Sequence, residues 1–136
     1  MGIEQVVLEA RGIEHDDHRR TITTACNNDL PFDVKQVKIA DVKQNTVVLG
    51  GHYHDYWEAF YLKKGIASYV LVGVDNPKQK LIGTIAAGHR LILPPRVAHK
   101  FKLSPNAELI GMTEKEYVSA EENDHKYDIK TPFVDD

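Results

Sequence analysis

With one cysteine, Cys26, in 136 residues, the chain cannot close an internal disulfide, and its stability must come from packing. Long apolar runs are missing as well: no stretch approaches the roughly 20 residues that a membrane-spanning helix requires. Nor is there a basic excess. Seventeen Lys and Arg residues against 20 Asp and Glu residues leave a formal net charge of −3, so a broad electrostatic grip on nucleic acid is not expected. The first residues do not follow the basic-then-apolar pattern of a secretory signal, and the expected address is cytoplasmic. Linkers, repeats and low-complexity tracts are equally scarce. At this length the expectation is one domain over residues 1–136, with a core large enough to need no staples.

What the sequence does contain is a succession of short apolar or alternating segments. They fall near residues 4–9, 20–24, 34–40, 46–49, 57–63, 67–73, 80–86, 90–93, 98–103 and 107–113. Strands this frequent predict an all-β sandwich or barrel. Asp75, Asn76 and Pro77 supply a reversal between two of them. The run Asp16–Arg20 reads as a solvated turn, Thr113–Asn123 as a short C-terminal helix, and the chain from Thr131 onward as loose. Residues 3–9 are the best candidate for an exposed strand edge open to sheet extension.

The histidines carry the chemistry. His52, His54 and Glu58 stand in the spacing His-x-His-x3-Glu-x6-Gly, which ends at Gly65. On a helix, residues two apart point in nearly opposite directions; on an extended chain 52, 54 and 58 share one face, so the geometry demands β-structure. Phe60 and Leu62 continue that face and put apolar walls beneath the polar group. Later, Pro94 and Pro95 interrupt a strand, and from His99 the chain alternates with Phe101 and Leu103 on one side and Lys100 and Lys102 on the other. A histidine on such a buried face needs a partner for its nitrogens, and a carboxylate there is costly unless it meets a cation. His15, His18, His89 and His125 lie in charged stretches or at a turn and read as solvated. Tyr53, Tyr56, Trp57 and Tyr61 read mostly as packing residues, with a substrate wall as the alternative.

These two segments resemble the motifs of the cupin superfamily, G-x5-H-x-H-x3,4-E-x6-G and G-x5-P-x-G-x2-H-x3-N. His52, His54, Glu58, Gly65, Gly88, Pro94 and His99 match in spacing, within residues 46–103. The leading glycine falls on Thr46, the second motif's inner glycine on Arg96 and its asparagine on Leu103, departures that touch turn geometry and packing. The resemblance implies a double-stranded β-helix, or jelly-roll barrel, in which His52, His54, Glu58 and His99 hold a divalent transition metal. Iron, manganese, nickel, zinc and copper all suit that ligand set. A bound ion with an open position would act on a small-molecule substrate as Lewis acid or redox centre, as in a dioxygenase or isomerase. The resemblance to small cupins also implies a homodimer, with the edge at residues 3–9 as its physical route.

A narrower resemblance runs over Leu30–His54, which is similar to cupins that isomerise nucleotide-linked keto-sugars and carry the signature R-G-x-H-A-H-K. Gly50, His52 and His54 match; the arginine falls on Leu49 and the lysine on Asp55. This resemblance implies metal-free proton transfer with His52 or His54 as general base. A third reading is a cupin that binds a small ligand without turning it over.

Overall fold

The period-two alternation is realised almost throughout. In the computed structural model, which describes residues 2–136, a 3₁₀ turn at Ile3–Gln5 precedes β1 (Val7–Ala10), β2 (Ile13–Asp16), β3 (Thr21–Thr23) and β4 (Gln36–Asp41). There follow β5 (Val47–Tyr53), β6 (Glu58–Lys64), β7 (Ile66–Gly73), β8 (Lys80–Ala86), β9 (His89–Leu93), β10 (Val97–Leu103) and β11 (Glu108–Thr113). The chain ends with α1 (Ala120–Asn123) and β12 (His125–Lys126). Two antiparallel five-stranded sheets result, ordered β1-β9-β6-β11-β4 and β12-β5-β10-β7-β8, while β2 and β3 form a separate hairpin.

Between the sheets lies an apolar floor built from alternate residues of facing strands: Leu62 of β6, Leu71 of β7, Leu91 and Leu93 of β9, Phe101 and Leu103 of β10, and Leu109 of β11. The central strands are buried on their outer faces too. Residues 25–34 cover Ala59, Tyr61, Ile92 and Met112 with Leu30, Phe32 and Val34; the C-terminal stretch lays Ile129 and Phe133 on Val70, Val72 and Ala98. Double coverage explains why β7 and β9 read as continuous apolar runs.

Several expectations shift. The edge expected at residues 3–9 is a 3₁₀ turn followed by β1, which occupies the end of the first sheet but pairs over only Val7–Ala10. Helix occupies only Ala120–Asn123 of the expected Thr113–Asn123, because β11 claims Thr113 and the Ser119 side chain caps Glu122 N and starts the helix there. The tail after Thr131 is packed: Phe133 is buried, and Lys102 bridges to Asp135 and Asp136 at 2.8 Å each. A polar sequence with one buried aromatic looks loose until its receiving surface is known. The run Asp16–Arg20 is the tip of the β2–β3 hairpin, where Asp17 Oδ1 accepts from Arg19 N and Arg20 N. His89 opens β9 and is half-buried instead of solvated.

Candidate functional site

Strict alternation along β5 would not place both histidines inward. Phe101 and His99 are two apart on β10 and both face the interior; their β5 partners are Leu49 and His52, three apart. One extra residue is therefore inserted in β5, a β-bulge that re-phases the strand and turns His52 and His54 onto the face of Leu49. Gly50 and Gly51 make it possible, with φ of +106° and +81°. A Cβ on Gly50 would collide with the carbonyl oxygen of His99 and come within 2.8 Å of Lys100 Cα. The residues 52, 54 and 58 do not share one extended strand. β5 stops at Tyr53, the chain turns, and Glu58 opens β6 in the other sheet, so the site spans both sheets.

The second motif's departure at Arg96 leaves the turn intact. Arg96 takes the left-handed conformation with φ of +64° and occupies the place of a glycine without being one. The bend after Pro95 is pinned by Arg96 N donating to His54 O at 2.9 Å and Val74 N donating to Arg96 O at 3.1 Å, while the guanidinium pairs with Asp75. His99 thereby reaches the cluster.

His52, His54 and His99 present ring nitrogens that all lie within 4.8 Å of one another. Glu58 adds its carboxylate only beside His54, with Oε1 2.6 Å from Nε2. His54 Nδ1 donates to the carbonyl oxygen of Asn123 at 2.7 Å, and since a carbonyl can only accept, Nδ1 carries the hydrogen. In the neutral ring Nε2 is then a lone pair facing a carboxylate oxygen. Glu58 Oε1 is buried and has no hydrogen-bond partner among the described residues. The gap between these atoms calls for a proton or a cation, so the donor set fits a metal held by His52, His54 and His99 with Glu58 at its margin.

Asp124, absent from the sequence-based site, closes the cluster from the C-terminal segment. Its carboxylate lies 3.5 Å from His54 Nδ1 and 3.9 Å from His52 Nδ1, and Tyr117 OH donates to it at 3.2 Å. Nothing in the local sequence separates Asp124 from its acidic neighbours; only β12 pairing with His52 and Tyr53 brings it here. Tyr56 stacks on His54 with ring centroids 4.7 Å apart and meets the Asn123 amide. His125 is half-exposed, yet it lies 2.6 Å from Asp55 and stacks on Tyr53. Tyr61 packs on the outer face of the first sheet and Trp57 stacks with Phe32 there, so neither is a substrate wall.

Burial pushes the imidazoles of His52 and His54 below their ordinary pKa, opposed in part by Asp124; His54 also gains from Asn123 O. His99, fully enclosed, is driven well below by burial and then by the neighbouring imidazoles. Near neutrality burial thus favours the uncharged rings of His52 and His99, which can accept a proton or a metal. They line one side of a cavity of about 380 Å³, together with Tyr56, Glu58, Phe60 and Phe101.

No protein-family model matches the chain, and no curated protein does. Among solved structures, a QdtA 3,4-ketoisomerase from Thermoanaerobacterium thermosaccharolyticum in complex with TDP is similar, with 20% identity, 90% of this chain and 88% of that one covered, and a TM-score of 0.75. A dTDP-4-dehydrorhamnose 3,5-epimerase from Bacillus anthracis with TDP and PPi bound gives 16% identity, coverages of 95% and 88%, and a TM-score of 0.76. The WlaRB TDP-quinovose 3,4-ketoisomerase from Campylobacter jejuni gives 18%, 87% and 91%, and 0.75. The fold is the cupin jelly roll. At these identities the likeness is one of fold, and it bears out the all-β expectation over nearly the whole chain. Within this cupin fold the histidine cluster sits at one end of the space between the sheets, above the apolar floor of Leu62, Leu103 and Leu109.

Proposed function

We propose that this cupin isomerises or epimerises a nucleotide-linked keto-sugar, with His52 as the acid–base group. The observation that carries the reading is the division of labour among the three imidazoles. His99 is buried, and His54 is held at Nδ1 by Asn123 with the Glu58 carboxylate crowding Nε2; His52, with a quarter of its side chain exposed, lines the cavity. Similar folds whose names specify 3,4-ketoisomerases and 3,5-epimerases, some with TDP bound, favour this reading over the metal-dependent one.

The chemistry needs only a proton in transit. His52 takes the proton from the carbon next to the sugar carbonyl, and the C–H electrons form a carbon–carbon double bond while the carbonyl π electrons move onto oxygen. An enediolate results. Transfer of the neighbouring hydroxyl's proton to the former carbonyl oxygen, with return of the proton from His52 to the former carbonyl carbon, shifts the ketone. Protonation of the original carbon by a donor on the other face, with His52 keeping the abstracted proton, inverts it. Asp124 beside His52 favours the imidazolium formed midway. Positioned acid–base groups of this kind contribute about 10²–10⁴-fold. Incubation with TDP-4-keto-6-deoxyglucose in D₂O is expected to incorporate deuterium next to the carbonyl, with a loss of about 100-fold or more in His52→Asn. Absence of exchange across a panel of TDP-linked keto-sugars defeats the reading, as does undiminished exchange in His52→Asn.

The facing lone pairs of His54 and Glu58 favour a second reading, in which a divalent transition metal is held by His52, His54 and His99 with Glu58 beside them. Bound there, an ion would supply Lewis acidity at the substrate carbonyl. Metal analysis of tag-free protein decides between the two: about one ion per chain, lost in His99→Ala, establishes the metal reading.

A further inference from the structure

The cavity is polarised from wall to wall. Histidines and Asp124 occupy the side of β5, β10 and the C-terminal segment; across from them β4 presents Gln36, Lys38 and Ala40. Among the described residues, Lys38 is the one Lys or Arg side chain lining the cavity. It is exposed, and its ammonium sits 3.8 Å from the ring centroid of Tyr117, the tyrosine that reaches Asp124. Beside it, Gln36 Oε1 accepts from Tyr117 N at 3.0 Å, which leaves the amide NH₂ of Gln36 for a ligand. Gly111 lies in register between Lys38 and Phe60 and carries no side chain to separate Lys38 from the cavity floor.

β4 ends the first sheet with one edge unpaired, and β12 pairs with β5 only at His52 and Tyr53. A slot between β4 and the lower half of β5 therefore opens the cavity sideways, flanked by Lys38 and by Leu49. At about 380 Å³ the cavity is near the small end of ligand pockets, roughly 300–1,000 Å³, enough for a sugar with its attachment leaving through an opening. An anion leaving on the β5 side would have to pass Leu49 and the carboxylate of Asp124 before reaching Lys100 and Lys126 of the adjoining groove, which also holds Glu121 and Asp128. On the β4 side it meets an ammonium and an amide.

We infer that the β4 wall is the anion-binding wall of this site, with Lys38 as the specificity-determining cation that seats the ligand's diphosphate at the slot and Gln36 as its neutral donor. This rests on the nucleotide-sugar reading and adds the direction in which the ligand lies: phosphates toward β4, the acidic carbon toward His52. An exposed ammonium acts as a point charge, so its contribution is salt-dependent.

Titration calorimetry with thymidine diphosphate, and separately with inorganic pyrophosphate, tests it on wild type, Lys38→Met and Lys38→Arg. Lys38→Met is expected to weaken both probes at least tenfold in low salt and by less in high salt, while Lys38→Arg stays within about threefold. In turnover, Lys38→Met raises KM with kcat nearly kept, the reverse of His52→Asn. Equal binding by wild type and Lys38→Met overturns the assignment, and so does wild type that binds neither probe at millimolar concentration. Deuterium exchange dependent on His52 alongside either result would leave the acid–base reading standing and remove only the β4 wall. Loss of exchange with Lys38-dependent TDP binding would do the opposite.

Discussion

Two backbone positions decide whether the histidines meet. Gly50 is held at φ +106° against the His99 carbonyl, so Gly50→Ala adds both left-handed strain and a collision with backbone that cannot swing away. The left-handed region alone costs a non-glycine residue about 1–2 kcal/mol, so the variant is expected to lose at least 2 kcal/mol by urea denaturation and to displace His52. Unchanged stability would mean the bulge is not needed to set the register. Arg96 poses the converse problem: an arginine holds a conformation suited to glycine. Arg96→Gly relieves that strain and Arg96→Ala keeps it while losing the same side chain, so the glycine variant is expected to be the more stable by about 1 kcal/mol. Equal melting midpoints for the pair would show that Arg96 is unstrained.

At the level of elements, the C-terminal segment does more than its sequence suggests. Phe133 lies buried on Val70, Val72 and Ala98 and anchors a tail that also delivers Asn123 and Asp124 to the histidines. Phe133→Ala is expected to cost about 3 kcal/mol in thermal or urea unfolding and to lower activity through loosened Asp124. A change below about 1 kcal/mol would mark the tail as dispensable. The role of this segment has no local signature in the sequence, unlike that of the central strands. Strands β6 to β11 were legible because apolar alternation, Gly65, Gly88 and the Pro94–Pro95 break each have a local cause. His52, His54 and His99 were legible because spacing reports faces. The inner position of Asp124, the burial of Phe133 and the near-complete burial of Arg90 beneath Glu9 and Asp29 have no local signature; each exists only because a distant segment supplies the partner. Spacing alone puts Glu58 on the strand face of the histidines, whereas the turn after Tyr53 carries it to the opposite sheet.

For the whole molecule, sheet edges and proton uptake make separate claims. β1 offers only four residues for extension, with Val7 and Leu8 partly exposed; at the other end of its sheet β4 offers six, with Val37 56% and Ile39 66% exposed. Exposed apolar edges invite pairing, and a homodimer is expected by light scattering. Val37→Lys should weaken it more than Leu8→Lys, and a monomer at high concentration removes the expectation. Stability against pH follows from the buried histidines. Each has a folded pKa below its unfolded value, so as pH falls through about 6.5 the unfolded chain takes up protons that the native cluster refuses. Unfolding free energy therefore rises with pH in the acid range and levels off above about pH 7, once the unfolded histidines are neutral too. His99, fully enclosed, contributes a slope of up to about 1.4 kcal/mol per pH unit below the unfolded pKa. Replacing it with asparagine should flatten the dependence measured by urea unfolding between about pH 5 and 7. Unfolding free energy that stays level or falls with rising pH across that window would mean that the cluster is protonated in the native state, and a protonated His52 could not begin the reaction as a base.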